Sequence, residues 1–249
     1  MYRRVPVRHA LSVISWRRLA QGPVVTYGLI GLCVLAFLLS PLSGLRPGHG
    51  DGDALRAAQS AYFERWGVIP VELMRGASPR TLLTPFTALF VHGGWLHLLG
   101  NMLFLHVFGA MTERRMGRAH FLLFYLGIGY LALFAYAAAN AGSAQTLVGA
   151  SGAISGVLGV FLYLFPRARV TSLFPFLLFL PLRFPAWIVL IFWFALQWLA
   201  LRGADEGPGV AYLAHLVGFG AGFLYAWVRY WRTDRVHGQT GATEGERQP

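Results

Sequence analysis

Apolar residues fall along this chain in long blocks separated by short polar breaks. The blocks cover about 24–40, Trp95 to Met111, 119–139, 146–165, 185–201 and 209–231. Most approach the roughly 20 apolar residues that an α-helix needs to cross a bilayer. In lipid every backbone N–H and C=O must be satisfied within the segment, so each block reads as a helix. The pattern predicts an all-α, polytopic membrane protein with a bundle of six transmembrane helices.

The connections are uneven. Residues 1–23 form a polar, Arg-rich tail and 232–249 a hydrophilic tail with little to bury, expected to be disordered. Between them, 24–231 reads as one membrane domain. A basic stretch before an apolar core also suits a cleaved signal peptide, but no small-x-small cleavage site follows the first block. The 41–94 connection holds an amphipathic stretch, Ala54 to Trp66, with Leu55, Ala58, Tyr62 and Trp66 at helical spacing and Asp53 placed to cap it. Residues 170–184 are apolar but interrupted by Pro175 and Pro181, and read as an interfacial elbow.

Composition strengthens this picture. Of 249 residues, 56% are hydrophobic and 12% charged, half the charge of an average soluble domain. The net charge of +11 sets 21 basic residues, all Arg, against 10 acidic ones. They cluster in short loops beside the apolar blocks, which points to topology and not to nucleic acid. Arg114, Arg115 and Arg118, then Arg167 and Arg169, then Arg229, Arg232 and Arg235 share a side with the N-terminal tail. The positive-inside rule makes that side cytoplasmic, with both termini on it. The long 41–94 loop obeys the rule imperfectly, since its five arginines are only partly offset by four acids. The single Cys33 excludes an intrachain disulfide.

Candidate chemistry begins at Val148-Gly149-Ala150-Ser151-Gly152-Ala153-Ile154-Ser155-Gly156. Taken alone, small residues in an apolar span are packing residues, and Ser belongs to that set. His215 changes the reading, because an ionisable residue inside a membrane is costly and a functional candidate. Ser151 is six residues past Gln145 and His215 seven past Pro208, both on inward-running segments. At 1.5 Å per residue each lies roughly 10 Å below the outer boundary. Gly152 and Gly156 on one helix, and Gly218 and Gly222 on the other, allow close backbone approach. His215 shares a face with Gly218 and Gly222, so hydroxyl and imidazole can meet, as an activated nucleophile requires.

The second span adds His97 and Asn101, one turn apart on one face. With the Ser151 N–H they are candidates for an oxyanion hole, the alternative being a structural interhelical pair. His92 precedes them at the membrane mouth. No acid lies within a predicted span, so a Ser–His dyad is expected and not a triad. No His-Glu-x-x-His occurs, and His106 and His120 do not converge with the others, so neither metal nor cofactor is expected. The absence of Lys removes a phosphate-cradling loop.

Together these residues make the chain similar to the rhomboids, intramembrane serine proteases. The resemblance rests on Gly149-Ala150-Ser151-Gly152, on Ala214-His215 with Gly218 and Gly222, and on His97-x-x-x-Asn101 with His92. It covers about residues 24–231. It implies a bacterial-type six-helix bundle in the inner membrane, with Ser151 as nucleophile and His215 as general base. His97, Asn101 and the Ser151 amide would form the oxyanion hole, with His92 mainly structural and the active site open to the outer face. It also implies single-span membrane proteins as substrates and partners. Two positions depart from the family pattern. Ser155 stands where many rhomboids stack an aromatic ring on the catalytic His, a role left to Phe219 or Phe223. Leu83 and Thr84 stand where a Trp-Arg pair is common. Two other readings fit a polar site in a membrane bundle: a catalytically silent binder of transmembrane clients, and a small transporter.

Overall fold

The structure, a computed structural model, describes residues 22–45, 47–76, 78–174, 180–203 and 211–245, without the side chains of 47, 172–174, 180–182 and 232–245. Most of the Arg-rich tail and the Asp205-Glu206 exit lie outside these ranges.

The protein is a helical membrane bundle. Helix α1 spans Val24–Leu39. The long connection folds into α2 (Gly52–Trp66), α3 (Pro70–Arg75) and α4 (Pro79–Ala88). Helix α5 runs from Trp95 to Met116 through one π-helical turn, Leu105–Gly109. Then come α6 (Arg118–Ala139), α7 (Ser151–Leu164), α8 (Ala186–Gly203) and α9 (Tyr212–Gly245). The six predicted spans correspond to α1, α5, α6, α7, α8 and α9. Among the described residues, α5, α6 and α8 are long and apolar enough to cross a bilayer, while α1 and α7 are shorter apolar helices.

Helix α7 is the centre. Its residues Gly152 through Phe161 are all buried, as befits a helix apolar on every side. It lies between α6 and α9, and missing side chains set both contacts. A Cβ on Gly152 would sit 2.9 Å from that of Ala132 on α6. On the other side, a Cβ on Gly218 or Gly222 of α9 would collide with the backbone carbonyls of Gly152 and Gly156. Outside, the bundle presents large apolar side chains such as Leu96, Leu123, Phe192 and Leu199, a surface suited to lipid.

Several elements differ from the sequence reading. The fourth span starts five residues late, because 146–150 is not helical: Val68 and Leu147 exchange two backbone hydrogen bonds of 2.9 and 2.7 Å. The resulting 14-residue α7 is only about 21 Å long, against a hydrocarbon core of roughly 30 Å. The described parts of 170–184, read as an interfacial elbow, are extended strands. Strands β1 (Arg169–Phe174) and β2 (Leu180–Pro185) pair antiparallel, with Leu173 opposite Pro181. Prolines that break a helix are tolerated here because both strands are edges. The amphipathic stretch is helical, but Asp53 does not cap it; it pairs with Arg56 in the first turn, and Asp51 holds the N-cap position. Where a disordered tail was expected after 231, the α9 backbone stays helical as far as Gly245, since extending a helix avoids the cost of nucleating one.

Glu113, read as part of a charged turn, is instead 1% exposed within α5. Pro23 gives α1 no side-chain cap. The Glu113 carboxylate supplies one from another helix, accepting from Val25 N (3.0 Å), Thr26 N (2.7 Å) and Thr26 Oγ1 (2.7 Å). Gly109, in the π turn, lets Thr26 approach; a Cβ there would lie 3.2 Å from its methyl. Glu113→Ala orphans these buried donors, and bonds to a charged acceptor are each worth about 1.5–3 kcal/mol. We expect a loss of about 3 kcal/mol or more in thermal unfolding in detergent, with Glu113→Gln losing less.

Candidate active site

Ser151 sits where it does because the chain enters α7 abruptly. Gly149 has φ +126°, a conformation that L side chains rarely adopt, and donates its N–H to the Ala88 carbonyl at 2.9 Å. The helix starts at Ser151 itself. Its first-turn N–H groups, with no intrahelical partners, face the end that attracts negative charge.

The Ser151 Oγ lies 2.7 Å from Nε2 of His215. That imidazole comes from the first turn of α9 and is 7% exposed. Its Nδ1 lies 2.8 Å from Oε1 of Gln197, on α8. Ser155, where the resemblance leads to the expectation of a ring, donates to the Ser151 carbonyl at 2.6 Å. Neither Phe219 nor Phe223 takes its place against His215. Trp193 of α8 does, with ring centroids 6.1 Å apart and planes 34° apart, and Tyr212 meets the ring edge-on at 6.5 Å. Phe219 backs Trp193 at 5.9 Å, while Phe223 packs on Tyr163.

Helix α5 closes the other side. The Gly93 N–H donates to His97 Nδ1 at 3.2 Å, which leaves the proton on Nε2. That nitrogen points at Gly149, where a Cβ would sit only 2.8 Å away. One turn on, Asn101 is 8% exposed and its Nδ2 has no hydrogen-bond partner among the described residues. A buried donor without a partner is rare and asks for an explanation. His92 stands behind His97, ring centroids 5.2 Å apart. It lies in the loop before α5. Burial, with His97 beside it, pushes its pKa down to about 4, against a raising effect of the Phe90 carbonyl. His92 is therefore neutral at physiological pH.

Ser151, His215, His97 and Asn101 all line one open cavity of about 990 Å³, with Gln197 and Trp193 opposite. Gly152, Gly218 and Gly222 lie instead in the helix contact beneath it. Among the described residues the lining carries no Asp, Glu or Arg, and no three His, Cys, Asp or Glu side chains gather at any one point. The arrangement can remove a proton from a hydroxyl and hold a developing anion with neutral donors. Gln197 was missed in the sequence. Its signal was there: it is the one side-chain amide between Ala186 and Leu201, and a polar residue in such a helix seeks a partner across a helix interface.

A model of the rhomboid domain matches residues 79–232, from the start of α4 into α9. The chain is 34% identical over 142 residues to Rhomboid protein 1, mitochondrial, of Saccharomyces cerevisiae, covering 55% of this chain and 39% of the yeast protein. It is 30% identical over 174 residues to RHOMBOID-like protein 1 of Arabidopsis thaliana, covering 70% and 41%. It is 34% identical over 144 residues to Rhomboid protease GluP of Bacillus subtilis, covering 57% and 24%. The chain thus spans well under half the length of these relatives.

Proposed function

The chain belongs to the rhomboid family, and we propose that it is a serine endopeptidase that cuts single-span membrane proteins within or beside the bilayer. The observation that carries this reading is the 2.7 Å contact between Ser151 Oγ and His215 Nε2 at the wall of a cavity large enough for a peptide. The protease name of the Bacillus subtilis relative supports it.

In this mechanism neutral His215 takes the Ser151 proton as Oγ attacks the scissile carbonyl. The oxyanion is held by His97 Nε2–H, the orphaned Asn101 amide and the Ser151 N–H at the start of α7. His215 then returns the proton to the leaving amine, and water hydrolyses the ester left on Ser151. A substrate helix must unwind first, since its amides are shielded by their own hydrogen bonds. The catalytic unit is the 24–231 membrane domain. The Arg clusters at the end of the bundle away from Ser151 support cytoplasmic termini and a site open to the outer face; the membrane proposed is the plasma membrane.

The test is labelling with a serine-directed fluorophosphonate. One adduct is expected, mapped by mass spectrometry to Ser151 and abolished by heat denaturation. No labelling of the folded protein, alongside binding of intact transmembrane peptides or transport of a solute, overturns the reading in favour of a silent client binder or a transporter.

A further inference from the structure

We propose that Gln197 is a positioning residue for the proposed base His215: the 2.8 Å contact of its Oε1 with Nδ1 fixes the imidazole's tautomer and direction, completing a neutral Ser–His–Gln relay. This rests on the reading of Ser151 and His215 as nucleophile and base.

The proton arrangement follows from chemistry. The Ser151 hydroxyl can donate to Nε2 only if Nε2 is bare. A neutral imidazole then carries its proton on Nδ1, which needs an acceptor. The Gln197 carbonyl oxygen is that acceptor. When the ring accepts the Ser151 proton, the same bond becomes charge-assisted and strengthens. Stabilisation thus grows as the transition state forms, the condition for raising kcat and not merely affinity. A carboxylate would do this more strongly, but would require a buried anion in a membrane helix. The amide supplies the acceptor without the charge.

The surroundings leave this part to Gln197. Among the described residues, the groups facing His215 are Ser151 from α7, His97 from α5, Tyr212 from α9 itself, and Trp193 and Gln197 from α8. His97 and Tyr212 are the titratable members of that set besides His215, and Gln197 is the residue bonded to Nδ1. Helix α8 fully buries only Ala186 and Leu190, near its start, and Gln197 is half-buried. A residue that merely held α8 to the bundle would show in stability alone.

The experiment compares purified full-length variants on a fluorescent single-span substrate across pH, with melting temperatures. Gln197→Met keeps the volume and removes the acceptor. A ten- to hundredfold fall in kcat is expected, the size of one lost charge-assisted bond, with KM within twofold. Gln197→Glu restores an acceptor. It should recover most of that kcat above neutral pH, and move the acidic limb of the profile upward by about one pH unit or more, because a carboxylate favours the protonated ring. Wild-type kcat in Gln197→Met overturns the proposal. So does a Gln197→Glu enzyme with an unmoved limb and no recovery, whatever the melting temperatures. Ser151→Ala is run in parallel. If it cleaves normally, the nucleophile reading fails and this one with it; if it is inactive while Gln197→Met is unimpaired, only the role of Gln197 fails.

Discussion

Ser151→Ala is expected to lower cleavage of a single-span substrate by at least about 10⁴-fold while shifting the melting temperature by only a few degrees. A hydroxyl and its base act as a unit, and losing either removes nearly all of what both supply; soluble serine proteases lose about 10⁶. The residue left behind still has the oxyanion donors and the cavity, which sets the floor. Stability is another matter. The substitution deletes one hydrogen bond at a cavity wall, worth about 1 kcal/mol, and water can take its place on Nε2. Loss of activity with retained folding is therefore the signature. His215→Ala should match it, and the double variant should be no worse than either single. Initial rates on the reconstituted substrate, with calorimetry of the same preparations, check all three. A Ser151→Ala enzyme within tenfold of the wild type would remove Ser151 from the chemistry.

The sequence carried the meeting of Ser151 and His215 because two periodic signals agreed. Depth came from counting residues past polar boundaries, and facing came from glycines at helical spacing on each segment. Both survive the error in where α7 begins. Hydropathy merges Thr146–Ala150 into the fourth span, since those residues are small or apolar, but Gly149 at φ +126° and the Val68–Leu147 bridge hold them non-helical. Ser151 is consequently the first residue of its helix and not the sixth of a longer one. That brings its N–H into the site.

What was not legible lies in contacts between distant elements. Gln197 stands 18 residues from His215 in another helix, and nothing in its own neighbourhood says which side chain it meets. Glu113 sits beside two arginines in the sequence, so it reads as solvated charge, yet it caps a helix 87 residues away. The pairing of β1 with β2 was not legible for a different reason. The apolar run is interrupted by Pro175 and Pro181, and periodicity alone does not separate a buried strand from a broken helix. Trp193 against His215 was hidden because α8 carries several aromatic residues, among them Trp187, Phe192, Phe194 and Trp198, and nothing in the sequence marks which of them meets the imidazole.

Gly222→Val is expected to cost as much activity as losing the imidazole, although Gly222 touches nothing at the site. Gly222 lies on the same face of α9 as His215, seven residues on, and a Cβ there would collide with the Gly156 carbonyl on α7. The obstacle is backbone, so no rotamer change relieves it, and Gly156 cannot retreat because Ile128 of α6 lies 2.7 Å from where its own Cβ would be. Gly218 against Gly152, and Gly159 against the Phe219 carbonyl, repeat the lock along the seam. Relief therefore requires α7 and α9 to separate by more than 1 Å. The Ser151–His215 contact is 2.7 Å, and such a bond is gone by about 3.6 Å. Gly222→Ala already introduces that Cβ, so it should lose most of the rate and several degrees of melting temperature, and Gly222→Val should lose all of the rate or fail to accumulate. Gly220→Val is the control: Gly220 is exposed and a Cβ there meets nothing within 4 Å, so its rate should be unchanged. Full activity in Gly222→Val would mean that the interlocked glycines are not what holds the hydroxyl against the ring.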